Sequence, residues 1–592
     1  MRSRGLLIFC LALVTSLSSL QAAKSKIKVK AVTFEGNAHI AGAVLNDVML
    51  TRPSRIFNPT YYQEVFLEDD LETLKSYYDG QGYQDMRVVD HRVEVDSLKM
   101  IARVWITLVE GDRTYIESIG FIGNNIHSDS LLLKVAKLKV GDPLVGENIE
   151  KATLRLLRFF ADKGYLEADV DPVWKVNRDS DQAILDFTIK TGIRSSIGEI
   201  RLPKGGKTRS TVILRELEFS PGEPANYSHI IMSQRKLYLT GLFESVHIQP
   251  VASATGDSTL RDIQIDLKEK QAGELNFSIG YGSLERARIR SEFLQGNLKG
   301  KGNKLGVKLH WSSLLRGVET SFSNPMIWNT QWRGDFVLRA EQQFQPGYDL
   351  SRIATQPALM HKIEKRLTTV IALRNEIIEL NNIKVLDSAD VNAADVHSIR
   401  FRLTWDSRNN LFNPTEGLLV DWGNEIAGGP ATSTNAFLKT TLKLASHHQI
   451  LNNVVVASSI ELGSLSSYGG NQRISLQERF YAGGPNSLRG YPYRLVGPVD
   501  ASGLPQGGLI QFIWNVFEVR VPVYRSFNVA TFGDMGNLWA NRDLVDFKDL
   551  EKDVGFGLHY ISPLGVIRLE TAVPVGEESS KVQVYFSMGY AF

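Results

Sequence analysis

From Gly273 to the last residue the chain alternates apolar and polar side chains with a period of two. This pattern constrains the fold more than any other. In a strand, successive side chains point to opposite faces, so such a segment has one apolar face and one polar face. Leu275, Phe277, Ile279 and Tyr281 alternate with Glu274, Asn276, Ser278 and Gly280. Val582, Val584, Phe586, Met588, Tyr590 and Phe592 alternate with Lys581, Gln583, Tyr585, Ser587, Gly589 and Ala591. A soluble sheet would alternate too. Strands of about ten residues with aromatics near their ends fit a barrel that spans a membrane. Residues 271–592 have room for sixteen strands at roughly twenty residues per strand and connection, an even number as bacterial barrels require.

The start of the chain agrees. Met1-Arg-Ser-Arg is followed by an apolar run, Gly5 to Val14, and ends at Ala22-Ala23. This reads as a secretory leader over residues 1–23. The single cysteine, Cys10, lies inside it, so no thiol, disulfide or thiolate-held metal is expected in the mature protein. Beyond the leader no run of about 18 apolar residues predicts a membrane helix. Lys and Arg total 67 against 65 Asp and Glu, a balance that argues against a nucleic-acid binder.

Between these regions the chain repeats. Lys28-Val-Lys-Ala-Val-Thr-Phe34-Glu-Gly36-Asn37 returns as Tyr115-Ile-Glu-Ser-Ile-Gly-Phe121-Ile-Gly123-Asn124. Gly82, Gly164 and Gly241 each follow a helical pattern, at intervals of about eighty residues. Each unit reads strand, helix, helix, strand, strand. Ile149, Leu154, Leu157 and Phe160 are expected on the inner face of one helix, and Gly164 in the left-handed conformation at its end. The units are placed at 24–111, 112–192 and 193–270, with the barrel at 271–592.

One stretch breaks the alternation. Tyr481-Ala-Gly-Gly484-Pro-Asn-Ser-Leu-Arg489-Gly490-Tyr491 lies within a long insert, roughly Ser464 to Gly508. Its glycines and proline exclude a regular strand. On composition alone it is a solvated loop, but a long insert in a compact domain is usually functional or disordered. In the strand count it connects the eleventh and twelfth strands, which makes it the sixth extracellular loop.

The repeats resemble POTRA domains, and the whole chain is similar to the BamA/TamA superfamily of outer-membrane insertases. The resemblance implies α+β tandem repeats in the periplasm followed by a sixteen-stranded antiparallel barrel in the bacterial outer membrane. Three repeats and this length look more like TamA than BamA. The family's sixth loop carries an Arg-Gly-Tyr element that folds back into the lumen. By that resemblance Gly484, Arg489, Gly490 and Tyr491 form the docking element. Phe532, Asp534 and Gly536 match the wall segment that receives it, and Glu518 is a second acceptor. Without that match Asp534 would read as a turn residue in Gly-Asp-Met-Gly. Trp405-Asp406-Ser-Arg408 with Asn413-Pro414 matches a hairpin between the eighth and ninth strands, its Asp406 and Arg408 read as a turn pair.

Barrel closure brings the first strand, Glu274 to Gly282, against the last, Lys581 to Phe592. Gly280, Gly282, Gly589 and Phe592 mark this seam as the weakest contact, because glycine weakens strand pairing. The resemblance implies that the protein assembles or inserts β-barrel or autotransporter-type proteins. Unfolded outer-membrane proteins are then the clients, outer-membrane lipid the surroundings, and a periplasmic bridging protein or accessory lipoproteins the partners. The alternative is a two-partner secretion pore exporting one dedicated substrate. That family normally has two repeats and a plug helix, for which the segment before Lys26 leaves no room. No cofactor, metal or enzymatic role is expected. There is no Gly-x-Ser-x-Gly elbow and no His-Glu-x-x-His. Gly205-Gly206-Lys207-Thr208 fails as a phosphate loop, since Arg201 stands where the first glycine belongs. His447-His448 reads as a solvated strand end, and Asp179-Ser-Asp181 as a hairpin turn.

Overall fold

The computed structural model describes residues 27–54, 59–364, 366–385, 394–428, 436–450, 454–469, 474–562, 565–576 and 581–588. The expected leader, with Cys10, and the seam residues Gly589 and Phe592 lie outside them. Two compact units carry the described elements. The second comprises Pro203–Glu216, Lys236–Val246 and Leu267–Phe592, and the first comprises the rest.

The first repeat contains β1 (Lys28–Glu35), α1 (Gly42–Val48), α2 (Glu64–Gly80), β2 (Arg87–Asp96) and β3 (Ile101–Val109). The second contains β4 (Tyr115–Ile122), α3 (Asp129–Ala136), α4 (Gly146–Asp162), β5 (Asp169–Asn177) and β6 (Gln182–Lys190). The next segment repeats the order with β7 (Ser196–Arg201), α5 (Ser210–Leu214), α6 (Tyr227–Leu239), β8 (Phe243–Ala252) and β9 (Leu260–Glu269). The sheets run β1-β3-β2, β4-β6-β5 and β7-β9-β8. In each, the last strand in sequence is central and parallel to the first. Central strands therefore alternate most cleanly: Ala102, Val104, Ile106 and Leu108 are buried along β3.

In α4 the buried residues are Ile149, Ala152, Leu156 and Phe160. Leu154, expected among them, is 59% exposed, and Leu157 is only partly buried. Five residues at about 100° each turn Leu154 some 140° from Ile149, onto the outer face. Gly82, Gly164 and Gly241 all take positive φ, at 93°, 99° and 70°, directly after their helices. Asp181 lies in the tight turn joining β5 to β6.

The barrel is one sheet of sixteen strands, β10 to β25, each paired with its neighbours in sequence. The first eight are β10 (Gly273–Gly282), β11 (Arg286–Leu298), β12 (Asn303–Trp311), β13 (Leu315–Asn324), β14 (Trp332–Phe344), β15 (Asp349–Ile363), β16 (Leu367–Asn381) and β17 (Ala394–Asp406). The others are β18 (Gly417–Ala427), β19 (Phe437–Gln449), β20 (Val455–Ser467), β21 (Ile510–Tyr524), β22 (Phe527–Trp539), β23 (Glu551–Ser562), β24 (Gly565–Pro574) and β25 (Gln583–Met588). Within the same unit, the stretch before α5 grips the β11–β12 turn. The Arg209 amide donates to the Gly300 carbonyl (2.9 Å) and the Asn297 side chain donates to Thr208 Oγ1 (2.8 Å).

His447 corrects a sequence expectation. It is fully buried, whereas His448 is exposed. Both lie in β19, where the period of two places His447 on the inner face with Lys443 and Ala445. Asp406 and Arg408 do form a turn pair, with Nη2 to Oδ2 at 2.9 Å.

Candidate functional site: a loop held inside the barrel

The insert between β20 and β21, the eleventh and twelfth barrel strands, is not a solvated loop. Ile474, Leu476, Phe480, Ala482, Leu488, Tyr491 and Val496 join Leu350, Ile378, Val396, Phe437, Leu465, Ile513 and Leu538 from the strands in one apolar core. Burial of these side chains draws the loop inward, because an exposed apolar surface of this size would be costly.

The path of the loop depends on its glycines. Gly483 and Gly484 have φ of 102° and 101°, a conformation other residues rarely adopt. The Gly484 amide donates to the Leu488 carbonyl at 3.1 Å and the Tyr491 carbonyl at 3.0 Å. This tight turn aims Arg489 at the wall. At Gly490 a Cβ would lie 2.4 Å from the Asp553 Cβ, so only glycine allows this approach.

Arg489 is completely buried. Its Nε donates to Asp534 Oδ2 at 2.8 Å and its Nη2 to Asp534 Oδ1 at 2.9 Å. Its Nη1 donates to Glu518 Oε2 at 2.6 Å and Glu570 Oε1 at 3.2 Å. The guanidinium carbon lies 3.3 Å from the centre of the Phe532 ring. The planar fork of arginine suits this bidentate contact, and a ring face adds attraction. Asp534 lies within β22, not in a turn, which overturns the turn reading. At Gly536 a Cβ would lie 2.4 Å from the Phe512 carbonyl oxygen and 3.3 Å from Leu488. The Tyr491 hydroxyl donates to Glu551 at 2.6 Å.

The structure thus brings together Gly484, Arg489, Gly490, Tyr491, Glu518, Phe532, Asp534 and Gly536. It adds groups that sequence reasoning missed. Arg520 donates to Glu518 (2.9 Å) and to the Pro414 carbonyl (3.1 Å). Arg568 donates to Glu570 (2.8 Å) and Asn515 to Asp534 (2.8 Å). The signal was present: Glu518 with Arg520, and Arg568 with Glu570, are charged pairs two residues apart, on one face of a strand.

The seam differs from the other strand contacts. Each of the fifteen neighbouring pairs from β10 to β25 forms a ladder, but among the described residues no ladder joins β10 to β25. Among the described residues, Ser283 makes the backbone contact. Its amide donates to the Phe586 carbonyl at 3.0 Å, and its Oγ accepts from the Phe586 amide at 2.6 Å. The expected seam residues sit nearby: a Cβ on Gly282 would lie 3.4 Å from the Phe586 oxygen, whereas Gly280 is covered by the Arg288 side chain. The outward row Leu275, Phe277, Ile279 and Tyr281 is 63–73% exposed.

Comparison with known proteins gives a consistent result. Residues 297–592 match the Omp85 superfamily domain, and residues 27–111 and 114–192 match the POTRA domain, described as a surface antigen variable number repeat. The outer membrane protein assembly factor BamA of Nitratidesulfovibrio vulgaris is 25% identical over 96% of this chain and 74% of its own length. That of Neisseria meningitidis serogroup B is 21% identical over 95% of this chain and 78% of its own length. The crystal structure of BamA from Haemophilus ducreyi lacking POTRA domains 1–3 has the same fold. Its TM-score is 0.71 at 19% identity, covering 80% of this chain and 99% of that one. With POTRA repeats ahead of a nearly closed sixteen-stranded barrel, this chain belongs to the Omp85 superfamily, as a protein of the BamA/TamA type.

Proposed function

We propose that the protein is an outer-membrane assembly factor that inserts β-barrel proteins through lateral opening of its seam. The names of its relatives support assembly, and favour BamA over the TamA that the repeat count alone suggests. The barrel would lie in the outer membrane with the repeats in the periplasm. The observation that carries the mechanism is the seam, where, among the described residues, Ser283 and Phe586 make the backbone contact and no ladder is formed. Lipid makes an unpaired strand edge costly, by several kcal/mol per backbone group. An edge with few partners of its own is therefore a ready template for a client strand, and strand exchange needs no nucleotide. The repeats would feed this edge. In each sheet the central strand leaves β2, β5 or β8 at the border, where an extended client can add by backbone hydrogen bonds that tolerate many sequences. Periplasmic bridging proteins or accessory lipoproteins would dock on the same repeats.

The test is a disulfide between cysteines placed at Ser283 and Phe586, with Cys10 replaced by serine. Cells depleted of their native copy would report on client assembly. Oxidation should stop assembly and reduction should restore it. Unimpaired assembly with the seam locked would refute lateral opening.

A further inference from the structure

The loop carries another buried charge, Glu478, eleven residues before Arg489. Glu478 ends a short 3-10 turn, Leu476–Glu478, and is 3% exposed. Its Oε1 accepts from Arg374 Nη2 at 2.8 Å and its Oε2 from Arg374 Nη1 at 3.1 Å. Arg374, on β16, is itself 4% exposed, and also donates to Glu376 (2.7 Å) and Glu425 (2.9 Å). Lys439, on β19, donates to the Glu478 carbonyl at 2.7 Å, and its ammonium lies 4.9 Å from the centre of the Phe480 ring. The Phe480 ring in turn fills the space where Gly463 lacks a side chain, 2.6 Å from its ideal Cβ position.

The two charged contacts have opposite polarity and use different walls. Arg489 meets carboxylates on β21, β22 and β24, a wall on which Glu518, Asp534 and Glu570 outnumber Arg520 and Arg568. Glu478 meets a wall on which Arg352, Arg374, Arg400 and Lys439 outnumber Glu341, Glu376 and Glu425. The loop brings a cation to the acidic wall and an anion to the basic one. Each removes a local imbalance that would otherwise be buried, and a buried unbalanced charge is costly.

We propose that Glu478 and Arg374 form a second anchor, independent of Arg489, so that the loop leaves the walls in two separate steps. Glu478 is then a positioning residue: it governs exposure of the segment around Leu476, while Arg489 governs the segment around Leu488. Any part of the anchor in assembly rests on the function proposed above, whereas the anchor itself does not.

Single cysteines at Leu476 or Leu488, in a full chain with Cys10→Ser, report the two ends through their maleimide labelling rates in detergent micelles. Both positions are nearly inaccessible in the folded protein, at 5% and 0% exposure. Glu478→Gln should speed labelling at 476 by roughly tenfold or more, as expected for loss of a charged hydrogen bond, while labelling at 488 changes little. Arg489→Ala should do the reverse, and Glu478→Asp should restore part of the protection at 476. If Glu478→Gln gives no folded barrel, judged by heat-modifiable gel mobility, Arg374→Met with Glu478→Gln removes both charges and should give the same selective exposure. Equal exposure of both cysteines, or of neither, would overturn the second anchor. Selective exposure at 476 with undiminished client assembly would uphold the anchor and separate it from the proposed function.

Discussion

The Tyr585 hydroxyl donates to the Tyr491 carbonyl at 2.8 Å, tying β25 to the loop that Arg489 holds. The contact links the lumenal lock to the strand at the seam. Tyr585→Phe keeps the ring and removes this bond, with an expected cost of about 0.5–1.5 kcal/mol. The heat-modifiability midpoint should fall slightly. A disulfide between cysteines at 283 and 586 should also form more slowly, because β25 is less firmly placed. An unchanged rate would show that the loop does not position the seam.

Arg489→Ala should cost the barrel about 3–5 kcal/mol, since it strands buried carboxylates without their cation. Arg489→Lys should recover little of this, because an ammonium cannot bridge Asp534 and Glu518 with a planar fork. Urea titration of barrel mobility on gels measures both variants. Equal stability of the lysine variant and the parent would refute a requirement for the fork.

At Gly490 the backbone approaches Asp553 too closely for any side chain. Gly490→Ala should therefore mimic Arg489→Ala, although it removes no charge. Overpacking of this kind typically costs about 1–3 kcal/mol. Maleimide labelling of a cysteine at Leu488 should rise in both variants.

The first repeat should be sensitive to acid through Glu110. Burial pushes its carboxyl up, but hydrogen bonds from the Tyr78 hydroxyl (2.8 Å), the His39 side chain (2.8 Å) and the His39 amide (2.9 Å) outweigh this and hold it below the usual carboxylate range. A lowered value in the folded state means that the stabilisation is complete above the unfolded pKa, about 4.3, and is lost as pH falls through the folded value. Hydrogen exchange in the full chain should show the amides of His39 and Ile40 losing protection below about pH 4. Glu110→Gln should lose protection at neutral pH and flatten this dependence.

Gly300 takes φ of 72° and would place a Cβ 2.2 Å from the Lys207 carbonyl oxygen. Gly300→Ala should push the β11–β12 turn away from Thr208 and Arg209. A disulfide between cysteines at Thr208 and Asn297, whose side chains are in contact in the parent, should then form less readily.

The barrel was legible because its signal is local and repeated: every strand needs an apolar face, so the period of two recurs from Leu275 to Met588. The docking of Arg489 was legible through resemblance and through chemistry, since an arginine drawn inside requires carboxylates. Glu570, Arg568 and Arg374 were harder to find. Each lies on the polar face of a strand, where sequence cannot distinguish a charge bathed in lumenal water from one covered by a returning loop. Leu154 shows the limit for helices, because an apolar residue one step off the buried stripe looks the same as one on it. The Ser283–Phe586 contact had no sequence signal at all, since it depends on where two distant hairpins end.

The loop's hydrogen bonds to β21, β22, β24 and β25 have an unequal mechanical effect on the two borders of the seam. They brace the border that carries the last strand, whereas β10 is joined to the sheet through its ladder with β11. In the opening proposed above, parting would be lopsided: one border would serve as a fixed jamb, and the short hairpin of β10 and β11 would swing as the leaf.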